Sequence, residues 1–464
     1  MRCPGQIYAF GDFRLDPRRR VLSSRKTGQT VPLPANAFDL LVRMVEQAGT
    51  LLSRQSLLSG IWSHATVVDN SVNQAVTAIR EALGDDPARP TYVGTVRGRG
   101  YRFLADVRSE GPPDRDPETY QLYVAGWAAL TRPGPRTLET AQTFFEQAIA
   151  RDPDFSLAMV CLAETHLLLG SHGVRPPQMS FAQARAAALG AIKTDPSSAE
   201  AHAVLSQIVF QYDHDPARAE ALMARALELN PTCFIAYRLW GMQVGAQGRH
   251  DEALAALRRA QAIEPLAVSI NGNIGMAHYC AGRFEDAIAQ LEHTLRMDQH
   301  WAVAQSTLGR SYLCLGRFDQ ALEYFEGNDG VRRGRVSDPA LAYAMTGRRD
   351  DAQRELTRLA QRAESEYVPP LHFVLIHTAL GNHNAALEWV EQVIEERANA
   401  MHLILEPLLH RLHGDHRFVQ RLERIGLGPL LASRRFMEAR LMDLPVVPPV
   451  VPHPGNLNAI SSGG

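Results

Sequence analysis

Apolar residues recur at two different periods along this 464-residue chain, and the change of period divides it. The opening segments IYAFGDFRLD, RRVLSS and QTVPLP alternate apolar with polar side chains and are broken by Gly, Asp and Pro, a pattern that predicts short strands. PANAFDLLVRMVEQAG then sets Phe38, Leu41, Val42 and Val45 on one helical face between a proline and Gly49, which predicts an amphipathic helix. A shorter helix is predicted in SRQSLLSGIW, with Ser53 as its N-cap. In DNSVNQAVTAIREALG, residues Val72, Val76, Ile79 and Leu83 fall on one stripe that must pack inward. YVGTVRGRGYRF reads as a hairpin with strands over 92–96 and 101–104; Gly98 and Gly100 permit positive φ at its tip, and Tyr101 and Phe103 share an anchoring face.

The outer face of the third helix carries Asn70, Asn73, Gln74 and Thr77, with Ser71 beside them and Arg80 at the flank. Asn and Gln match the donor and acceptor pair of adenine, and a Thr methyl can meet thymine. Taken alone, such a face also reads as an ordinary solvated one. The sequel favours the first reading, because Arg97, Arg99 and Arg102 project from the hairpin, with Thr95 beside them.

Strands, three helices and a basic hairpin follow the order of a winged helix. The segment over about 10–103 resembles the OmpR/PhoB-type winged-helix DNA-binding domain, in LLSRQSLLSGIW, in VDNSVNQAVTAIREALGDD and above all in YVGTVRGRGYRF. The resemblance implies that the helix from Asn70 to Leu83 lies in the major groove of promoter DNA. It implies that Arg97, with Arg99 as understudy, enters the adjacent minor groove. The loop from Trp62 to Val68, with Ser63, His64, Ala65, Thr66 and Val67, would contact RNA polymerase. This chain departs from many members in having Arg80 as the one basic residue of the recognition helix and Glu81 on its exposed face. The wing would then supply more of the electrostatic grip, and a homodimer or a tandem site would offset weak binding by one domain.

Beyond GPPDRDPE the sequence repeats. Gly241, Gly275 and Gly309 are 34 residues apart, as are GRHDEA at 248, GRFEDA at 282 and GRFDQA at 316. Small residues at fixed sites let antiparallel helices approach, and this period resembles the tetratricopeptide repeat. The inner alanine recurs at Ala141, Ala184, Ala219, Ala253, Ala287, Ala321, Ala352 and Ala386. The first step, of 43, predicts a swollen loop at GSHGVRPPQ; the step of 31 predicts an irregular sixth repeat at NDGVRRGRVSDP. The expected organisation is a winged helix over 1–107, a linker over 108–118, a solenoid of about eight helical pairs over 119–397, a closing cap over 398–430 and a disordered Pro-rich tail over 444–464. The fold class is thus an α+β winged helix followed by an all-α tetratricopeptide-repeat solenoid. Its concave face is assigned to Arg238, Met242, Met276, Tyr279 and Arg310, a mixture able to hold a protein, a small ligand or a second subunit.

Charge sharpens this division. Residues 1–110 carry fifteen Lys and Arg against ten Asp and Glu, whereas the rest of the chain carries 33 against 40, so the head alone is suited to a polyanion. No run of about eighteen apolar residues and no signal-like start is present, which predicts a cytoplasmic protein without a membrane partner. The five cysteines stand singly, as apolar fillers in reduced form. GxxxxGK[ST], HExxH, GxSxG and the kinase motifs are missing, and the winged helix starts too near the first residue for a receiver domain to precede it in this chain. No catalysis, cofactor or metal is expected; His410, His413 and His416 are read as surface histidines rather than ligands. The reading is a one-component transcription regulator, leaning to activator, with the repeats receiving a signal or a partner. A scaffold whose winged helix binds protein remains the alternative.

Overall fold

The computed structural model describes residues 7–17, 21–53, 56–57, 70–96, 98–110, 116–131, 134–264, 267–326, 337–397 and 400–435. Strands β1 (Ile7–Phe10), β2 (Phe13–Asp16), β3 (Val21–Ser24) and β4 (Thr30–Val31) run antiparallel in the order they occur. Their first edge is covered by β8 (Arg108–Glu110), whose Ser109 sits opposite Tyr8. Residues 108–110, read as linker, are therefore part of the sheet: pairing with β1 satisfies backbone groups that an edge would leave open.

Helix α1 (Ala35–Glu46) and helix α2 (Asn70–Leu83) pack their apolar stripes together, and Leu41, Val45, Val76 and Ile79 are buried. The predicted helix between them lies largely outside the described residues; Ser56 and Leu57 are helical. A second sheet follows from β5 (Leu51–Ser53), β6 (Val93–Val96) and β7 (Gly100–Phe103), in the order β5-β7-β6.

Sixteen helices come next among the described residues, in eight pairs. They are α3 (Pro117–Leu130) with α4 (Pro135–Arg151), α5 (Ser156–Ser171) with α6 (Pro177–Thr194), α7 (Ala199–Ile208) with α8 (Pro216–Leu229), and α9 (Phe234–Ala246) with α10 (His250–Ile263). The rest are α11 (Val268–Cys280) with α12 (Phe284–Met297), α13 (Ala302–Cys314) with α14 (Phe318–Glu326), α15 (Ser337–Met345) with α16 (Arg349–Ala363), and α17 (Pro370–Ala379) with α18 (His383–Glu396). All eight recurring alanines are fully buried, each in the second helix of its pair. The recurring glycine faces the large apolar residue one turn after each alanine, Leu257, Leu291 or Phe325, for a steric reason. A Cβ built on Gly309 would lie 2.2 Å from the ring of Phe325, closer than any carbon contact allows.

The nine residues added at the step of 43 do not go mainly into a loop. They lengthen the helices, to 16 residues in α5 and 18 in α6 against 13 in α9 and 14 in α10. Most of the segment predicted to end the sixth repeat irregularly, 328–339, lies outside the described residues, and its last three, Ser337, Asp338 and Pro339, open α15.

The array curls back on itself. A Cβ on Gly173, between α5 and α6, would come within 2.1 Å of Pro369 at the start of the eighth pair. His214, after α7, has Nε2 3.3 Å from the Arg397 carbonyl beyond α18.

Helix α19 (His402–Leu405), a 3₁₀ turn over Pro407–Leu412, α20 (His416–Arg424) and α21 (Gly428–Arg435) follow. The predicted closing cap instead enters the concave side: Leu403, Ile404, Leu409 and Leu412 join Leu313, Phe325 and Leu375 in one buried cluster. His413 is fully buried, donates from Nε2–H to the Leu403 carbonyl at 2.9 Å, and stacks on Phe418. The reading of all three histidines as surface residues is corrected at that position: an imidazole with one backbone partner and an aromatic neighbour is a core residue. No helix among the described residues is long and apolar enough to cross a membrane.

Candidate nucleic-acid interface

Local sequence rules build the hairpin and then fix it to the recognition helix. Its strands pair with Thr95 opposite Tyr101 and Val96 opposite Gly100. Gly98 has φ of 70° and Gly100 of 143°, and a Cβ on Gly100 would sit 1.9 Å from the Leu52 carbonyl oxygen of β5. Glycine is required there because the neighbouring strand occupies the space of a side chain. Phe103 meets Phe10 edge to face, with centroids 5.0 Å apart and planes at 84°, so the hairpin rests on the first sheet as well as the helices.

Three side chains, Asn73, Arg80 and Asp85, hold the hairpin against α2 and the turn after it. Tyr101 Oη donates to Asn73 Oδ1 at 2.8 Å, and Arg80 Nη2 donates to the Val93 carbonyl at 2.8 Å and to Thr95 Oγ1 at 2.9 Å. Asp85 accepts from the backbone N–H groups of Thr91 (2.6 Å), Tyr92 (3.0 Å) and Val93 (2.8 Å). The sequence reading missed Asp85. Its signal was present: an Asp directly after Gly84, which ends α2 at φ of 63°, is placed to cap the strand that starts a few residues later.

The polar stripe of α2 is thereby sorted. Gln74 and Thr77 are exposed, and the Thr77 hydroxyl donates to the Asn73 carbonyl at 2.9 Å, which turns it away from solvent contacts. Asn73 and Arg80, read as part of the DNA-contacting face, have polar groups engaged with the hairpin, because β6 and β7 pass within reach of that flank. Thr95 is engaged with Arg80 in the same way. Arg99 and Arg102 are exposed. The side chains of Asn70 and Ser71, the whole of Arg97, and Ser63, His64, Ala65, Thr66 and Val67 lie outside what is described.

On the repeat array, Arg238, Met242 and Met276 line a cavity, whereas Tyr279 and Arg310 do not face an open groove. Arg310 is buried between Asp338 (2.6 Å) and Glu406 (2.7 Å), and Tyr279 Oη donates to the other oxygen of Glu406. Burial works against the charge of Arg310, but the two carboxylates outweigh it and hold the guanidinium protonated. The assignment of these two residues to a binding face is corrected, since the chain's own C-terminal segment satisfies them. The two halves of the chain also touch: Arg43 Nη1 of α1 donates to the Ala262 carbonyl at the end of α10.

Residues 28–103 match the family described as "Transcriptional regulatory protein, C terminal", and residues 208–268 and 239–300 match "Tetratricopeptide repeat". The "Transcriptional regulator HilA" of Salmonella typhimurium is 32% identical over 117 residues, 25% of this chain and 20% of that protein. The "Regulatory protein VirG" of Agrobacterium fabrum is 39% identical over 101 residues, 22% of this chain and 40% of that protein. The chain thus spans between a fifth and two-fifths of these relatives. Among solved structures, the Klebsiella pneumoniae RstA DNA-binding domain in complex with the RstA box is 31% identical, with a TM-score of 0.19, covering 21% of this chain and 96% of that one. Pseudomonas aeruginosa PilF is 20% identical, with a TM-score of 0.33, covering 44% of this chain and 93% of that one. The chain joins an N-terminal winged helix of the OmpR/PhoB type to an array of tetratricopeptide repeats.

Proposed function

We propose that this protein is a sequence-specific DNA-binding transcription regulator. The observation that carries the reading is the exposed pair Gln74 and Thr77 on α2, beside a hairpin that presents Arg99 and Arg102 to solvent and is braced against that helix. Gln74 would read a base edge in the major groove, the Thr77 methyl would meet a thymine, and Asn70 and Ser71 would lie at the same groove wall. Arg97, Arg99 and Arg102 would meet phosphate and minor groove, with Asn73, Arg80 and Thr95 as positioning residues. The relatives named as regulators support this, and one match, 31% identical over 102 residues, is named "Transcriptional activator CadC", from Escherichia coli. Activation, with RNA polymerase met through 63–67, is accordingly the preferred mode, with the repeat array receiving a protein, a small ligand or a second copy.

The test is fluorescence anisotropy of the full chain on promoter fragments between 50 and 200 mM salt. Affinity is expected to fall by about tenfold or more over that range. A salt-independent affinity would overturn the DNA reading in favour of a protein-binding winged helix.

A further inference from the structure

The inner helices α5, α7, α9 and α11 border a partly open hollow. Between them lies a cavity of about 160 Å³, bounded also by His402. A second space of about 80 Å³ shares its walls at Gln207, Gln211, Met242, Asn273 and Met276, and is closed by Met401, His402 and Leu405 of the C-terminal segment. Its apolar lining sets aromatic and thioether groups, Trp127, Phe234, Met242, Met276 and Trp301, among aliphatic ones such as Leu167, Ile235 and Leu239. The Trp301 indole is seated on Gly272, where a Cβ would come within 1.6 Å of it. A cavity of about 150 Å³ is enough to hold a benzene ring.

Two amide side chains, Gln207 and Gln211, reach this space among its polar groups. Gln207 is 2% exposed and accepts at Oε1 from Gln243 Nε2 at 3.0 Å. Gln211 gives its Oε1 to Ser171 Oγ at 3.1 Å. Both side chains line the cavity with their carbonyl oxygens already engaged. Arg238 also lines it but is already neutralised by Glu164.

We infer that this cavity binds a neutral, planar aromatic compound of one or two rings that carries a carbonyl oxygen. Ring faces and methionine sulfurs favour an aromatic body. Amide N–H groups held in a mostly apolar wall favour an acceptor, and a carboxylate would lose hydration without gaining an unpaired cation at Arg238. The chain's own Met401, His402 and Leu405 bound one side, so the space left suits a small molecule. The inference deepens the signal-receiving role proposed for the array and rests on it for the meaning of occupancy, though not for binding itself.

The experiment is fluorine NMR of 4-fluoroacetophenone titrated with the full chain. Saturable broadening is expected; Gln207→Leu should weaken it by roughly fivefold. Met242→Trp, which fills the space, should weaken it by about tenfold or more while circular dichroism stays unchanged. No saturable binding by the unsubstituted chain, or equal binding by Met242→Trp, would overturn the site. Tighter binding of 4-fluorobenzoate than of the ketone would overturn the neutral-carbonyl assignment. If the ketone binds and DNA affinity is identical with and without it, the site stands and the sensing role fails.

Discussion

Asp85 shows how much one side chain can fix. Its carboxylate takes three consecutive backbone N–H groups at the start of β6, and it is 6% exposed. Asp85→Ala would leave these donors without a partner, at a cost of about 2–4 kcal/mol. Hydrogen exchange should therefore speed up at Thr91, Tyr92 and Val93 while α1 keeps its protection; unchanged exchange at those amides would remove Asp85 from its supporting role. The buried triad in the array is a harsher case. Arg310→Met leaves Asp338 and Glu406 facing each other without their cation, and a loss of about 3–5 kcal/mol is expected from urea unfolding of the repeats.

At the scale of elements, periodicity made most of the fold legible. The stripe of Val72, Val76, Ile79 and Leu83 led to a helix over 70–83, where α2 is found, and the glycine spacing led to paired helices with every recurring alanine buried. What could not be read was the choice among partners for a polar side chain. Arg80 and Arg99 look alike in sequence, but one turns back onto β6 and the other stays in solvent, and that depends on where the hairpin lies in space. The same limit hid the inward course of 401–412, because apolar residues with a broken period fit a terminal cap as well as a plug. This sorting has a measurable consequence for binding. Arg102→Ala should lower DNA affinity and reduce the slope of log K against log salt by about 0.9, the signature of one lost phosphate contact. Arg80→Ala should lower affinity with the slope kept, since its guanidinium braces the hairpin; equal slopes for the two variants would contradict the division.

Across the whole molecule, buried imidazoles set the response to acid. Burial pushes His166 down to about 4, against the opposing field of Glu146, and lowers His214, His278 and His377 as well. The unfolded chain takes up protons below about 6.5 while folded His166 stays neutral, so its contribution is fully present above that pH and is lost as pH falls towards 4. About 2 kcal/mol is expected from this residue, and His166→Gln should flatten the dependence of the urea midpoint between pH 7 and 4. The contact of Gly173 with Pro369, and of His214 with Arg397, has a different kind of consequence. Repeats that touch their neighbours alone fray from the ends and melt piecemeal. Here the second and third pairs are latched to the last, so the array is a hoop rather than a spring: a pull on one end is shared around the circuit, and the circuit should melt as one body until the latch is cut.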